Sequence, residues 1–266
     1  MGGLNAEWQK NVTDSLEVEG ISWVLLNKNG LTIISIREDA LLVNLLDLSE
    51  PPEPEVLLAI QEDYSSRGVQ LVHLWEDVWL SRKTQVLSRI KSILGLNKRI
   101  HGRKTKIVSI AQDVADAFLI ENHLQYSASA RYKYALQLDG VTVAVACFSH
   151  LRKMPEKGIL YRSAELIRFA TIDGYTVTGG FTKLLRYFIK LHEPNDVMSY
   201  ADRDWSLGAA YQNAGFKLVG VTAPASILVD RISFMRYFSH RVDSHITGDK
   251  YLSIFNTGNL KYILYL

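Results

Sequence analysis

A chain of 266 residues, at about 150 residues per domain, predicts two domains, and its composition of 47% hydrophobic and 22% charged residues excludes a disordered or collagen-like chain. Thirty basic residues against 28 acidic leave a formal net charge of +2, which excludes a whole-molecule field able to hold a polyanion, so any nucleic-acid surface must be local. The single cysteine, Cys147, excludes an internal disulfide or a thiolate metal cluster and points to a reducing compartment, the cytoplasm.

The first residues, MGGLNAEWQKN, lack a basic stretch followed by an apolar core. No apolar run approaches the ~20 residues that span a bilayer, so a secreted or membrane-spanning chain is not expected. Met1-Gly2 resembles a myristoylation start, but Ala6 stands where that signal needs Ser or Thr. Residues 21–48 read as three strands, ISWVLLNKNG, LTIISIRED and ALLVNLLDL, broken by the turn signals Asn29-Gly30 and Glu38-Asp39. Pro51, Pro52 and Pro54 then stop any regular element. PEVLLAIQEDYSSRG has helical apolar spacing ending near Gly68, VQLVHLWED reads as a strand, and a second helix is expected from about Leu80 to Leu94.

That helix and the segment after it carry Arg82, Lys83, Arg89, Lys91, Lys98, Arg99, Arg103, Lys104 and Lys106, with no acid until Asp113. Such a run is either a solvated helix face with an exposed linker or a phosphate-contacting surface for DNA. The linker places a boundary near Lys104, giving domains 1–104 and 105–266.

The second half reads as strand TKIVSI, helix AQDVADAFLIENHL, and a hairpin of YKYALQLDG and VTVAVACFS turned by Asp139-Gly140. Strand AELIRFATI, helix GGFTKLLRYFIKLH, strand DVMSYAD, short helix SLGAAYQNAG and strands FKLVGVT and ASILVD follow. This β-α-β-β-β-α-β-α-β-β order makes the class α+β with a mixed sheet, not a doubly wound parallel one. Between a strand and a helix, DGYTVTGG can aim backbone N–H groups at a pyrophosphate, or serve only as a glycine turn. His240 and His245 lack a third ligand at metal spacing, so no zinc site is expected.

The element order, this loop and Tyr211-Gln212-Asn213-Ala214-Gly215-Phe216 together resemble the GNAT acetyltransferase family over about residues 105–230. The resemblance implies a GNAT-like fold in the second half, beside a smaller α/β domain, and acetyl-CoA or another acyl-CoA as donor. The family's loop reads Q/R-x-x-G-x-G/A, and Thr176, Gly179 and Phe181 stand at its three defined positions; only Gly179 matches. The cofactor stretch carried over is Phe169, Ala170, Thr171, Thr176, Val177, Thr178, Gly179, Gly180 and Phe181. Tyr211 occupies the position of the family's acid for the departing thiolate, a role that a phenol with a pKa of about 10 suits, and Glu165 that of a general base.

A narrower resemblance runs through FLIENHLQ, ELIRFAT, TVTGGFTKLLRYFIK, SYADRDWSLGAAYQNAGF and YLSIFNTGNLKYILYL, to a module of phage and mobile-element proteins distantly similar to the phage Mom DNA-modification protein. It adds Ser199, Asp202, Asp204 and Ser206, around Arg203, as a cluster at a strand's C-terminal end. In the first half, QEDYSSRGVQLVHLWEDVWLSRKTQVLSRIKSILG resembles the strand and basic helix that close a very-short-patch-repair-like endonuclease domain of the PD-(D/E)XK class, here degenerate. Ser35 and Asn44 stand where metal-binding acids belong, leaving Glu38, Asp39 and Asp47 as alternative ligands. Three functions follow: an acyl-CoA N-acyltransferase acting on a nucleobase or another amine, a non-catalytic DNA-binding accessory protein, and a metal-dependent endonuclease.

Overall fold

The computed structural model describes residues 4, 6–28, 30–239 and 250–266. In chain order the elements are α1 (Glu7–Val18), β1 (Trp23–Lys28), β2 (Leu31–Ile36), β3 (Leu41–Leu46), α2 (Pro54–Ser66), β4 (Leu71–Trp75), α3 (Glu76–Ile93), β5 (Lys98–His101) and β6 (Lys106–Ser109). They continue with α4 (Gln112–Asn122), β7 (Tyr132–Leu138), β8 (Val141–Phe148), β9 (Arg152–Lys153), β10 (Arg162–Thr171), β11 (Tyr175–Thr178), α5 (Gly180–His192) and β12 (Asp196–Asp202). Last come α6 (Ala209–Asn213), β13 (Lys217–Val221), β14 (Ala225–Asp230), β15 (Arg236–Phe238), β16 (Tyr251–Asn256) and β17 (Asn259–Tyr265). The chain forms two compact units, residues 1–87, 201–207 and 221–260 in one and 88–200, 208–220 and 261–266 in the other.

The first unit holds a four-stranded sheet in the order β1-β2-β3-β4. β1, β2 and β3 form an antiparallel meander, and α2 carries the chain over so that β4 runs parallel to β3. A crossover of this kind needs a helix, and Pro54 begins α2 where its missing N–H costs nothing. β3 lies between two neighbours and is buried along its whole length. The turn between β2 and β3 uses positive φ at Arg37, Glu38 and Asp39, held by the Asp39 N–H donating to Ser35 Oγ at 3.1 Å. β14 is central in a small antiparallel sheet with β15 and β16, and Ile227, Val229 and Ile254 join Leu42, Leu57 and Trp75 in one core. That shared core is why residues 221–260 belong with the N-terminal stretch, and why the compact units differ from the continuous split expected at Lys104.

Helix α1 was not among the expected elements, although Trp8, Val12 and Leu16 recur at i, i+4 and i+8 and all three are buried. Full burial of each aliphatic side chain is worth about 1.5–3 kcal/mol, so Leu16→Ala would weaken the helix's hold by about 2–5 kcal/mol.

The second unit is built on a sheet ordered β13-β17-β12-β10-β8-β7-β6, with β9 on the edge of β10. The β7–β8 hairpin turns at Asp139 and Gly140, both with positive φ, as their sequence requires. Alternation along the strands sends Ala135, Val145 and Cys147 to α4 on one face, while Tyr134 and Phe148 meet α5 on the other. Phe188 of α5 stacks flat on Phe148 with 4.0 Å between centroids. Burial among these apolar groups pushes the Cys147 thiol up to about 12, which leaves it a protonated packing residue. Among the described residues no helix is long and apolar enough to cross a membrane.

Candidate functional site

The site lies in the second unit where two parallel strands part. β10 and β12 pair only at Ser163–Asp196, Ala164–Val197 and Glu165–Met198. Beyond Glu165, β10 stays on β8, with a register shift between Leu166 and Arg168 that bends it away from β12. The opening begins at Ser199, which is buried and donates its hydroxyl to the Leu166 carbonyl at 2.8 Å, replacing a ladder bond that β12 no longer makes.

Beside this opening the chain turns through Gly179 into α5. Gly179 sits at φ 74, a left-handed conformation that a glycine adopts without strain. The first N–H groups of α5 have no acceptor within the helix and make its N-terminus electropositive. His101, Gly102, Arg103, Thr178, Gly179 and Lys183 line an open cleft of about 390 Å³ there. Two contacts bring the basic segment to this place. β5 pairs in parallel with β11, matching Lys98, Arg99, Ile100 and His101 to Tyr175, Thr176, Val177 and Thr178. Lys183 Nζ then donates to the carbonyl of Gly102 at 2.9 Å and to that of Thr105. Gly102 must be glycine because a Cβ there would lie 2.9 Å from the Thr178 oxygen and 3.1 Å from the Gly180 nitrogen.

Phe181, one residue into α5, turns its ring toward the gap. It meets Phe169 edge-on at 5.2 Å between centroids, Tyr211 at 5.7 Å and Phe216 at 6.3 Å. Tyr211 also stacks on Tyr262 at 5.2 Å. Its hydroxyl is hydrogen-bonded to Ser199 Oγ at 3.1 Å. Burial raises the phenol above its ordinary value, outweighing the Ser199 hydrogen bond and the nearby charges of Arg89 and Arg168. Tyr211 is therefore a protonated hydroxyl at the inner end of the gap.

The other expected site residues divide. Glu165 sits at the last paired position of β10, with Oε2 3.5 Å from Arg152. Ala170 turns to the α4 face, and the Thr171 hydroxyl donates to the Tyr175 carbonyl at 2.9 Å. The residues of the cluster expected at Ser199–Ser206 fall in different compact units. Ser199 belongs to the second unit, whereas Asp202, Asp204 and Ser206 belong to the first. Asp204 is buried and accepts from the Thr257 N–H at 3.0 Å and the Thr257 hydroxyl at 2.6 Å, while Asp202 accepts from the Asp204 N–H at 3.0 Å. Asp204 thus orders the first unit's core, and burial raises its carboxyl above the usual range.

The basic run divides too. Arg82 is 6% exposed at a non-helical position inside α3, so it is a core residue and not a phosphate contact. Lys83 reaches back to Asn11 Oδ1 at 3.0 Å, and Arg89 and Lys91 are half-buried, while Lys98, Arg99, Arg103 and Lys104 are exposed. Two of the alternative nuclease ligands, Asp47 and Asp39, have other partners. Asp47 accepts from Trp8 Nε1 at 2.6 Å and Gln9 Nε2 at 3.0 Å, fastening α1 to the sheet, and Asp39 accepts from Ser35 at 2.5 Å. Among the described residues no group of three His, Cys, Asp or Glu converges on a metal position. His240 and His245 lie outside the described residues, as do Met1, Gly2 and Asn29.

Sequence reasoning missed His101 and Lys183 as lining residues. Their signal was the absence of acid from both segments, but nothing local pairs residue 101 with residue 183. It also missed Asp196, a buried carboxylate that accepts from Ser163, from Lys157 at 2.9 Å and from Tyr161 at 2.8 Å. These donors hold it below the usual carboxylate range despite burial, and it locks the start of β12.

A coenzyme A donor has two ends to satisfy. The basic cleft with the α5 N–H groups fits the diphosphate. The gap between β10 and β12, which the thioester arm needs, holds the Phe181 ring and fits only if that ring turns out.

No known family model matches the sequence, and no curated protein matches it. Solved structures similar to the chain are GNAT acetyltransferases. An IAA acetyltransferase from Bacillus cereus shares 15% identity over 61% of this chain and 99% of its own, with a TM-score of 0.36. A GNAT family acetyltransferase from Elizabethkingia anophelis with acetyl-CoA bound shares 11% over 61% and 99%, at 0.36. An N-acetyltransferase from Staphylococcus aureus shares 13% over 60% and 98%, at 0.36.

Proposed function

We propose that the second unit is a GNAT-type N-acyltransferase that draws on an acyl-coenzyme A and acts on an amine. The observation that carries this reading is the parting of β10 from β12 after three residue pairs, beside the electropositive start of α5. Acyl-coenzyme A, when bound, supplies an acyl group activated as a thioester. Gly180, Phe181 and Thr182 offer N–H groups to anionic oxygens, with Lys183 and Arg103 supplying positive charge around them. Tyr211 keeps a proton at the inner end of the gap, where a leaving thiolate would take it. Glu165, at the last paired position of β10 where the strands begin to part, is a carboxylate fitted to receive a proton from an acceptor amine.

A ligand that binds only the folded state raises the thermal midpoint by mass action. Acetyl-CoA is expected to raise it for the wild type, and Gly179→Val, which strains the left-handed turn, is expected to abolish the shift. A folded wild type and a folded Phe181→Ala variant that both ignore acetyl-CoA would overturn the reading. A second reading, a protein of this fold that binds phosphate without acyl transfer, is favoured by the Phe181 ring in the gap.

A further inference from the structure

The cleft at Gly179 is one end of a larger charged surface on the second unit. The segment from Lys98 to Lys106 contains Arg99, Arg103, Lys104 and Lys106, all exposed, and no acid. Helix α5 contains no acid either, and Lys183, Arg186 and Lys190 fall at i, i+3 and i+7, which places them on one side of the helix. Lys183 is the member of that side that touches the basic segment, through its bonds to the Gly102 and Thr105 carbonyls. Arg186 and Lys190 are exposed and continue the same side for about 10 Å beyond it, at 1.5 Å of rise per residue. No ion pair among the described residues takes any of these side chains. Packing so much uncompensated positive charge onto two adjoining elements costs repulsion, and a polyanion relieves it.

We propose that this surface, from Arg99 along Arg103, Lys104 and Lys106 to Arg186 and Lys190, is a track for a nucleic-acid backbone. The track differs from the run of basic residues in the sequence. It drops the α3 residues Arg82 and Lys83, which belong to the other unit, and gains two helical residues some eighty positions later in the chain. The net charge of +2 does not oppose it, because the acids lie on other elements. It stands independently of acyl transfer, since the backbone contacts need neither the gap nor Tyr211.

The test is fluorescence anisotropy of a labelled duplex and a labelled single strand, titrated with the full chain across a salt series. Wild-type affinity is expected to fall steeply with salt through release of condensed counterions. Arg186→Glu with Lys190→Glu is expected to weaken duplex binding at least tenfold and to make the log–log salt slope shallower by about 2. Lys83→Glu, an exposed change of the same sign outside the track, is expected to leave both unchanged. Arg186→Gln with Lys190→Gln, which adds no new charge, is expected to give a smaller loss in the same direction at an unchanged thermal midpoint. Absence of binding at low salt, or a loss from Lys83→Glu equal to that from the double reversal, would overturn the track. Equal affinity for polyglutamate would overturn nucleic acid as its occupant.

Discussion

Phe181 and Tyr211 stand edge-on, their ring planes 90° apart and their centroids separated by 5.7 Å. The hydrogen-rich edge of one ring against the face of the other is a favourable arrangement worth about 0.5–1.5 kcal/mol beyond area burial. On the proposed function the Phe181 ring occupies space that an acyl donor's arm needs, so stability and ligand access compete at one side chain. Phe181→Ala is expected to lower stability by about 2 kcal/mol, less than for a fully buried ring, and to enlarge the acetyl-CoA-induced rise in thermal midpoint over that of the wild type. Calorimetry with and without acetyl-CoA measures both; a variant destabilised but no more responsive to ligand means that the ring is only packing.

Tyr211→Phe removes the hydroxyl and leaves Ser199 Oγ without its hydrogen-bond partner 3.1 Å away. A loss of about 1 kcal/mol in urea denaturation is expected from the hydrogen bond alone. If Tyr211 is the acid, acetyl-CoA binding survives while single-turnover acyl transfer to a small amine slows by about 10²–10⁴-fold. Transfer at the wild-type rate would leave the residue a purely structural role.

Gly102→Ala tests the close approach between the basic segment and the loop at Gly179. The new methyl would press on the Thr178 carbonyl and the Gly180 nitrogen, both backbone atoms that cannot swing aside. The expected cost is about 1–3 kcal/mol by overpacking, read as a lowered denaturation midpoint. Release of β5 from β11 should also raise hydrogen exchange at Thr176 and Thr178. A variant as stable and as protected as the wild type would mean the two segments separate freely.

His73 makes the first unit sensitive to acid. It is fully buried, with Nδ1 3.3 Å from the Asn44 side-chain amide, and burial pushes its pKa down to about 4; the charge of Arg203 adds to this and a hydrogen bond with the Leu57 backbone opposes it. Below the ordinary value of 6.5 the unfolded imidazole gains a proton that the folded one refuses until about 4. The neutral ring's contribution is therefore complete above pH 6.5 and drains away as pH falls to about 4, by about 3 kcal/mol at 1.36 kcal/mol per unit. The raised carboxyl of Asp204 acts in the opposite direction, so the comparison is made between wild type and His73→Gln. The wild type is expected to lose stability more steeply than the variant between pH 6.5 and 4; parallel profiles would remove His73 as the cause.

Much of the fold was legible because its signals are local. Asp139-Gly140 sets its own turn, Pro51 to Pro54 break the chain before α2, and Gly179 marks the entry to α5. Helix α1 was equally legible from Trp8, Val12 and Leu16, yet its polar average masks the apolar stripe. β5 and β11 were not, since KRIH and YTVT are four-residue strands that exist only as each other's partners. The assignment of residues 201–207 and 221–260 to the N-terminal unit depends on contacts such as Gln61 to the Arg203 carbonyl at 2.6 Å, which no window of sequence contains. At the site, Tyr211 and Gly179 were singled out only by the family resemblance. The bulk of Phe181 was visible in the sequence, but its ring partners Phe169 and Phe216 were not. The partner of Asp204, the buried Thr257, was not legible, because density of polar residues at a strand end looks alike whether they face a ligand or a buried threonine.

The place of β17 between β12 and β13 has a consequence for how the molecule is made. A ribosome delivers β12 and β13 before the strand that joins them, so residues 196–202 and 217–221 must wait with unsatisfied edges until residues 259–265 emerge. The first unit waits as well, since Ile254 of β16 completes a core begun at Leu31. Vectorial synthesis therefore cannot finish either unit early. Exposed strand edges in that interval are open to mispairing, and the nascent chain is expected to be at its most aggregation-prone just before β17 emerges.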